Sequence, residues 1–362
     1  MTVVGIITEY NPFHEGHRLH LSHAKAMGDA VVCVMSGNFV QRGEPAVYDK
    51  FTRAAFAASQ GVDLVLELPL CYSLASAPGF AYGAVATLAA TGMVDTILFG
   101  SECGDIDRLS AAAKALTDAD IQKAIGVHLA EGMTYPAART KALSSFSDVF
   151  SSPNNSLGIE YLLAIKSTNS SITAHTMKRL PDAPSATKIR EKLWENKTAD
   201  GMLMPQAQTP VALQDFEAML MYALRATAKE ELLGYNDVNA ELAARLLEGG
   251  RLATLSHAIE YIKTKRYTMS RVKRILFNIL TRNRISPQTP PAYIRVLAMT
   301  KRGASLLGEM QEKASVPIYT KLPKENLPPM LQKDIFATDI YMLAKKAPAG
   351  MDYTQKIFVC PR

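Results

Sequence analysis

The segment Val3–His17, VVGIITEYNPFHEGH, decides the fold class of this chain. Its first six residues are mostly apolar and β-branched, a composition typical of a buried strand. A polar loop follows, and a helical pattern of apolar residues then runs from His17 to Met27. The segment therefore predicts a strand, a loop and a helix, which is the repeating unit of α/β folds.

The same alternation continues through the first half of the chain. Short apolar runs bounded by Gly, Ser or Pro predict further strands at Ala30–Met35, Leu64–Leu68, Thr96–Phe99 and Ile172–Met177. Helical patterns lie between them at Lys50–Gln60, Ser73–Thr91 and Leu157–Lys166. Strands that alternate with helices favour right-handed crossovers and a parallel sheet covered on both faces. We therefore expect a Rossmann-like α/β domain whose ligand binds beyond the carboxyl ends of the strands.

The second half of the chain has a different pattern. The stretch Thr198–Pro210 is rich in Gly, Pro and Gln and predicts a domain boundary. We expect residues 1–197 to form the α/β domain and residues 198–362 to form a mostly helical one. Helical patterns beyond the boundary lie at Leu213–Leu233, Val238–Leu247, Thr254–Tyr261, Ser270–Asn283 and Tyr293–Leu307.

The composition excludes several classes of protein. Of the 362 residues, 48% are hydrophobic and 20% are charged, which is the balance of a globular protein. No stretch reaches the roughly 18 apolar residues of a membrane span, and we expect neither a membrane segment nor a signal peptide. The four cysteines lie far apart, which argues against structural zinc and disulfides and favours the cytoplasm.

The net charge of +6 is unevenly distributed along the chain. Residues 1–200 carry 17 basic and 20 acidic side chains, and residues 201–362 carry 23 and 14, so the halves have charges of −3 and +9. Between Tyr261 and Gly308 there is no Asp or Glu. This basic region predicts contact with a polyanion, for which RNA, a membrane surface and an acidic protein are the candidates. The predicted RNA contacts are Lys263, Lys265, Arg266, Arg271, Lys273, Arg274, Arg282 and Arg284, and the aromatic residues among them could stack on bases or belong to the core.

The first strand leads into His14-Glu15-Gly16-His17 at the start of a helix. A helix N-terminus presents unpaired backbone N–H groups and favours anions. Gly16 allows close approach of a phosphate, and His14 and His17 are spaced to point at the same phosphate oxygens. Either histidine could instead cap the helix. The pattern therefore predicts a phosphate site in which both imidazoles stabilise charge on a phosphoryl group under attack.

His14-Glu15-Gly16-His17 resembles the HxGH motif of the HIGH nucleotidyltransferase superfamily. Ser185-Ala186-Thr187-Lys188-Ile189-Arg190 resembles the second motif of that superfamily, whose hydroxyls and Arg hold the β- and γ-phosphates of ATP. Taken alone, the second segment could equally be a helix N-cap followed by an amphipathic helix.

A narrower resemblance is carried by EYNPFHEGH (Glu9–His17), MSGNFVQRGEPA (Met35–Ala46), DLVLELP (Asp63–Pro69), FGSE (Phe99–Glu102) and Asn154–Asn155. Together these segments are similar to the tRNA(Met) cytidine acetate ligase family. The resemblance implies that acetate and ATP give acetyl-adenylate and pyrophosphate, and that the acetyl group then passes to N4 of the wobble cytidine of elongator tRNA(Met).

The resemblance also implies site residues, with His14 and His17 as the catalytic pair. The implied ATP-binding residues are Thr8, Glu9, Tyr10, Asn11, Pro12, Phe13, Gly16, His20, Gly100, Asn154, Arg179, Ser185, Thr187 and Arg190. Asn154 could instead cap a helix, and Arg42 could clamp an anion or pair with Glu44. No cluster of acidic residues marks a metal site, so Mg²⁺ is expected to be held mainly by the phosphates.

Two other functions remain open at this point. A ligase that transfers acetate to a protein thiol would not need the basic helices, so neutralising Lys273 and Arg274 should leave its activity intact. An RNA-binding protein that keeps the fold without the chemistry would tolerate loss of both His14 and His17.

Overall fold

The structure, a computed structural model, describes residues 1–179, 185–195, 201–205 and 208–361. Its strands are β1 (Val3–Thr8), β2 (Ala30–Ser36), β3 (Phe39–Val40), β4 (Glu44–Pro45), β5 (Leu64–Leu68), β6 (Thr96–Ser101), β7 (Thr173–Lys178), β8 (Ile294–Thr300), β9 (Ile318–Tyr319) and β10 (Phe358–Cys360).

The helices of the first half are α1 (Glu15–Met27), α2 (Lys50–Ser59), α3 (Leu70–Ser73), α4 (Ala77–Ala90), α5 (Ile106–Leu116), α6 (Ala119–Ala130), α7 (Tyr135–Ala142), α8 (Ser147–Phe150), α9 (Pro153–Ser167) and α10 (Ala186–Trp194). Those of the second half are α11 (Glu217–Ala226), α12 (Lys229–Leu232), α13 (Ala240–Gly250), α14 (Leu255–Ile262), α15 (Met269–Leu280), α16 (Lys301–Lys313), α17 (Pro329–Ala344) and α18 (Met351–Thr354). Short 3₁₀ turns lie at Ser144–Phe146 and Leu213–Phe216.

The main sheet has the strand order β10, β8, β5, β2, β1, β6, β7. The five strands of the first half, β5, β2, β1, β6 and β7, run parallel to their neighbours. The predicted α/β class is therefore confirmed. The chain builds outward from β1 first through β2 and β5, and then on the other side through β6 and β7. This reversal makes the gap between β1 and β6 the switch point at which such sheets bind ligands.

Both faces of the sheet are buried, as the apolar runs of its strands predict. Alternate side chains of a strand point to opposite faces, and Val3 and Val4 accordingly belong to two different core clusters. The cluster with Val3 includes side chains of α4 and α9, and the one with Val4 includes side chains of α1 and α2. The sheet is thus the middle layer of three.

The second half of the chain adds strands to this sheet. The predicted helix Tyr293–Leu307 is wrong in its first part, because β8 occupies Ile294–Thr300 and only then does α16 begin. β8 pairs antiparallel with β5 and parallel with β10. Pairing with β8 satisfies the backbone N–H and C=O groups along the edge of β5, which would otherwise be open. The local helical pattern of Tyr293–Leu307 could not reveal this distant pairing partner.

The helices of the second half have a core cluster of their own. It contains Leu220, Ile259 and Phe277, but also Phe39 and Leu70 from the first half. The two halves therefore share buried side chains. The predicted long helix at Leu213–Leu233 is divided into a 3₁₀ turn, α11 and α12. The predicted boundary at residue 198 lies outside the described residues. Over the described part of the chain, no helix is both long and apolar enough to cross a membrane.

A buried ion cluster joins three distant parts of the chain. Lys50 on α2 lies 2.7 Å from a carboxylate oxygen of Glu67 on β5 and 2.9 Å from one of Asp352 on α18. Burial opposes the charged form of Lys50, but the two carboxylates outweigh it and raise the pKa of Lys50 above its ordinary value. All three side chains are almost fully buried. Removing the cation would leave two buried carboxylates with only Arg295 of β8, 3.9 Å from Asp352, to offset their charge.

We expect Lys50→Met to lower the free energy of unfolding by about 3–5 kcal/mol, the usual cost of breaking a buried ion pair from one side. Urea denaturation measures this change. Lys123→Met, on the exposed surface of α6, is the matched control and should stay within about 0.5 kcal/mol of the parent. Equal losses in both variants would contradict the prediction.

Candidate active site

A pocket lies at the carboxyl ends of the strands, at the switch point of the sheet. Its lining comes from the loop after β1 and from α1, from the end of β6, and from the end of β7 and the residue after it. The lining residues are His14, Gly16, His17, Leu19, His20, Gly100, Met177 and Arg179. The structure thus brings together six of the residues predicted from sequence, which are His14, Gly16, His17, His20, Gly100 and Arg179.

The two histidines of the HEGH motif stack on each other, with ring centroids 3.8 Å apart and planes inclined by 25°. Nδ1 of His14 accepts a hydrogen bond of 3.1 Å from the backbone N–H of Gly16, and Nδ1 of His17 accepts one of 3.3 Å from the N–H of His14. A neutral imidazole that accepts at Nδ1 carries its proton on Nε2. Capping the helix therefore fixes both Nε2–H groups as donors, and among the described residues neither has a protein partner.

The imidazoles of the pocket are neutral at physiological pH. Burial, with smaller contributions from Arg179 and Arg190, lowers the pKa of His14 to about 4. Burial and the neighbouring His14 lower the pKa of His17 well below its ordinary value. The site therefore offers two neutral N–H donors, while positive charge comes from Arg179 and from the N-terminus of α1. Such a set of donors suits an anionic phosphoryl group.

His20 has a different role from the motif pair. Its Nε2 lies 2.9 Å from the backbone carbonyl of Leu98 on β6, to which it donates. Burial lowers the pKa of His20 to about 4. His20 thus ties α1 to β6, the two elements on either side of the switch point.

The loop Glu9–Phe13, before the HEGH motif, is held in place by hydrogen bonds to neighbouring segments. Tyr10 has a φ of 46°, in the left-handed region that is uncommon for a bulky residue. Asn11 Oδ1 accepts from the backbone N–H of Val47 at 2.8 Å. Glu9 accepts from the N–H of Gln41 at 2.8 Å, and burial raises the pKa of Glu9.

Most predicted ATP contacts in this loop are covered by protein. Tyr10, Asn11, Pro12 and Phe13 are all buried, and the Thr8 hydroxyl contacts Cys33 Sγ at 3.1 Å. Their side chains therefore shape the loop, and the pocket itself is lined from His14 onward.

The second motif meets the first through its arginine. Ser185 caps α10 by accepting from the N–H of Lys188, and the Thr187 hydroxyl accepts from Arg190. Arg190 also donates to the backbone carbonyl of Asn11 at 3.0 Å and lies 3.8 Å from a carboxylate oxygen of Glu44. In this structure the guanidinium of Arg190 supports the loop of the first motif.

Arg179 lines the pocket, and Asn154 lies beside Arg179 outside the lining. The Asn154 amide donates to Glu102 at 2.7 Å, and its oxygen accepts from Arg179 at 3.5 Å. A Cβ on Gly100 would lie 3.2 Å from the Arg179 side chain, so glycine leaves room for that side chain at the end of β6. Asn155, which carried the resemblance but was not predicted as a site residue, holds the loop after β6 by accepting from the N–H of Glu102 and Cys103.

The segment Gly201–Leu203 was missed by sequence reasoning. The carbonyl of Gly201 accepts from the N–H of Glu15 at 3.0 Å, and the N–H of Leu203 donates to the carbonyl of Phe13 at 3.3 Å. Met202 forms a β-bridge with His14. The sequence predicted only a domain boundary here. The content of Gly and Pro does not reveal that this segment pairs with the loop around His14.

Two of the predicted RNA contacts face the loop of the first half instead. Lys273 on α15 lies 2.8 Å from a carboxylate oxygen of Glu44, and the buried Arg274 donates to the carbonyl of Gln41 at 3.1 Å. The basic region Tyr261–Gly308 contains no acidic residue, but the fold places Glu44, 229 residues earlier in the chain, next to Lys273. Neutralising Lys273 and Arg274 would disturb the Gln41–Glu44 turn, so it cannot separate RNA binding from nucleotide chemistry.

The other six predicted RNA contacts lie nearer the surface. Lys263, Arg266 and Arg284 pair with Glu260, Glu241 and Glu231, while Arg271 donates to the carbonyl of Asp237 and Lys265 and Arg282 are exposed. Among the aromatic residues of this region, Tyr267, Phe277 and Tyr293 are fully buried and therefore belong to the core. Tyr261 is exposed, and Arg245 stacks on its ring.

Residues 1–356 match the family described as HIGH Nucleotidyl Transferase. The tRNA(Met) cytidine acetate ligase of Acetivibrio thermocellus is 36% identical over 99% of this chain and 100% of that protein. The ligase of the same name from Caldanaerobacter subterraneus subsp. tengcongensis is 38% identical over 96% of each chain.

Solved structures agree with these sequence matches. The crystal structure of Thermotoga maritima TmcAL bound with alpha-thio ATP is 33% identical to this chain, with a TM-score of 0.90 over 99% of this chain and 100% of that one. The apo form of the same protein is 31% identical with a TM-score of 0.90. The chain is thus a nucleotidyltransferase of the HIGH class. Within that class it belongs to the tRNA(Met) cytidine acetate ligase family, and it is an enzyme of the ligase class.

The lowered pKa of His20 predicts a loss of stability in mild acid. Its ordinary value is 6.5 and its folded value is about 4, so below pH 6.5 the unfolded chain takes up a proton that the folded chain refuses. The free energy of unfolding should therefore fall as pH drops from 6.5 toward 4. His20→Gln keeps a donor for Leu98 without titrating, and should reduce the slope by up to about 1.4 kcal/mol per pH unit.

Urea denaturation at several pH values between about 4.5 and 7 measures this slope. His257→Gln, at an exposed histidine of α14, is the matched control and should keep the slope of the parent protein. A slope in His20→Gln that equals the parent's would show that His20 titrates alike in the folded and unfolded chains.

Proposed function

We propose that this protein is an ATP-dependent tRNA(Met) cytidine acetate ligase. It activates acetate as acetyl-adenylate, releases pyrophosphate, and transfers the acetyl group to N4 of the wobble cytidine of elongator tRNA(Met). The observation that carries the proposal is the pair of Nε2–H donors of His14 and His17, fixed by the helix cap at the switch point and set beside Arg179. The names of the relatives and the ATP analogue bound to Thermotoga maritima TmcAL support ATP and tRNA(Met) as substrates.

In the first step, an acetate oxygen attacks the α-phosphorus of ATP, the P–O bond to the β-phosphate breaks, and pyrophosphate leaves with that electron pair. Negative charge accumulates on the phosphoryl oxygens during this step. His14 and His17 donate hydrogen bonds to it without changing protonation, because their neutral form is already the stable one. Arg179 supplies the positive charge, and positioning of the reactants supplies much of the remaining acceleration.

In the second step, the N4 amine of cytidine attacks the acetyl carbonyl of the adenylate. AMP leaves with the electron pair of the mixed anhydride bond, and the amine loses one proton to solvent or to a phosphate oxygen. No covalent enzyme intermediate is required. The exposed basic residues of the second half, among them Lys265 and Arg282, are proposed to contact the tRNA backbone.

Mg²⁺ commonly accompanies ATP, and the pocket can be tested for ligands to it. The side chains that line it are imidazoles, Arg179 and apolar groups, and among the described residues there is no group of three or more His, Cys, Asp or Glu that could hold a metal ion. This donor set does not fit a metal site made by protein side chains. We therefore assign no step to a protein-held metal and propose that the phosphates of ATP hold Mg²⁺.

The proposal is tested by incubating the protein with ATP, Mg²⁺, ¹⁴C-acetate and bulk bacterial tRNA, followed by nucleoside analysis of the RNA. We expect label in N4-acetylcytidine only when ATP is present, together with AMP and pyrophosphate. Consumption of ATP and acetate without labelled RNA would contradict the tRNA acceptor and favour a protein thiol. Label in RNA without ATP would contradict adenylate formation.

The two functions of His14 can be separated by substitution. Asn is a good helix N-cap and can accept from the Gly16 N–H, but it has no group in place of the Nε2–H. His14→Asn should therefore keep the thermal unfolding midpoint within a few degrees while lowering kcat for acetate-dependent ATP–pyrophosphate exchange by about 10²- to 10³-fold. His14→Ala should lose both stability and activity.

Calorimetry and the exchange assay measure the two effects side by side. Full exchange activity in His14→Asn would show that the histidine acts only as a cap. His23→Asn, at an exposed histidine nine residues further along the chain on α1, is the matched control and should leave both readouts unchanged.

A further inference from the structure

The second half of the chain contains an open groove of about 1060 Å³ that the nucleotide site does not use. It lies between α11 and α17, and the end of α15 closes one side. Its volume is at the upper end of the range of ligand sites in proteins. None of the residues that line it belongs to the pocket of His14 and His17.

One wall of the groove is a mostly apolar stripe that is partly open to solvent in the described part of the chain. On α17 the groove residues are Lys333, Phe336, Ile340 and Leu343, spaced three and four apart and therefore on one face of the helix. The opposite face of α17 carries buried residues such as Tyr341. Phe336 is 37% exposed and Leu343 is 59% exposed. α17 is thus buried on one side and open on the other.

The facing helix, α11, places a flat aromatic ring at the lip of the groove. Tyr222 is 72% exposed, the largest exposed fraction among the large hydrophobic side chains of the described residues. Met219, one turn before Tyr222, and the adjacent Ala223 line the apolar floor of the groove. An aromatic ring held above an apolar floor is a surface on which another planar group can stack.

The end of the groove nearest α15 is basic. Arg282 follows α15 with a φ of 51°, and Arg284 and Lys333 lie close to it. Burial, with smaller contributions from the positive charges of Arg282 and Arg284, lowers the pKa of Lys333. Glu231 pairs with Arg284 at 3.5 Å, but among the described residues no carboxylate pairs with Arg282 or Lys333. Three cations with one paired carboxylate leave an excess of positive charge beside an apolar floor, which favours a ligand that is anionic at one end and flat and apolar at the other.

We propose that this groove binds an unpaired nucleotide of the tRNA, with its base stacked on Tyr222 and its flanking phosphates on Arg282 and Lys333. The inference rests on the proposed function and deepens it, because it assigns a place to a single-stranded part of the RNA. An unpaired base has a planar face for the ring and phosphates for the cations. A second copy of the chain, with a net charge of +6, matches these cations less well than a polyanion does.

The test compares three substitutions at Tyr222 for binding of unmodified elongator tRNA(Met) at fixed salt. Stacking of one base is worth roughly 5- to 100-fold in affinity, so Tyr222→Ala should raise Kd by that factor. Tyr222→Phe keeps the ring and should bind as the parent does. Tyr222→Leu keeps apolar area without a ring and should lose affinity nearly as Tyr222→Ala does. The exposed Tyr353→Ala, on α18 outside the groove, is the matched control and should bind as the parent does.

The phosphate contact has its own readout. Lys333→Gln should reduce the slope of log K against log salt by about one unit, as expected when one phosphate contact is lost. Acetate-dependent ATP–pyrophosphate exchange without tRNA should be unchanged in all of these variants, because the nucleotide pocket is elsewhere.

Three results would overturn the groove proposal. The first is unchanged tRNA affinity in Tyr222→Ala while the parent protein makes N4-acetylcytidine. The second is full affinity in Tyr222→Leu, which would indicate an apolar partner and not a stacked base. The third is a concentration-dependent dimer in sedimentation that Tyr222→Ala abolishes, which would make the groove an interface between copies. A parent protein that makes no N4-acetylcytidine would instead fail the proposed function itself.

Discussion

The arrangement of the active site depends on one buried guanidinium. Arg53 of α2 donates to the backbone carbonyls of Glu9, Ser36, Gly37 and Tyr48. Glu9 follows β1, Ser36 is the last residue of β2 and Gly37 follows it, so one side chain holds the carboxyl ends of two neighbouring strands together. Glu9, Gly37 and Tyr48 belong to loops outside the strands. Burial lowers the pKa of Arg53 without discharging it, and its donors satisfy acceptors that would otherwise be buried alone.

A second set of contacts connects the nucleotide pocket to the basic half of the chain. Lys273 pairs with Glu44, Glu44 lies near Arg190, and Arg190 donates to the carbonyl of Asn11 in the loop before His14. Gly43, with a φ of 72°, lies so close to the backbone of α15 that a Cβ there would be 2.4 Å from the N of Arg274. The turn Gln41–Glu44 therefore packs directly against α15 and connects the two halves of the chain. Glu44 in the turn and Lys273 and Arg274 on α15 make structural contacts, which explains why the basic run in sequence overstated the free cationic surface.

The chemistry of the site follows from burial as much as from residue type. A histidine pair can act as two cations, as two donors or as helix caps, and the sequence left these alternatives open. The backbone N–H groups at the start of α1 occupy both Nδ1 atoms, and the low-dielectric surroundings keep both rings neutral. Each imidazole therefore caps the helix through Nδ1 and remains a hydrogen-bond donor through Nε2. Positive charge is supplied separately by Arg179, whose side chain would lie 3.2 Å from a Cβ at residue 100 if that residue were not glycine.

The sequence by itself determined the α/β class, the five parallel strands and the position of the HEGH loop, because strand and helix periodicities and a helix N-terminus are short-range properties. It did not determine that β8 and β10 extend the sheet, that Gly201–Leu203 pairs beside His14, or that Lys273 and Arg274 face the first half. Only the tertiary structure decided these features. Each depends on a partner far away in the chain, such as β5 for β8 or Glu44 for Lys273, and burial against a distant partner outweighs local propensity.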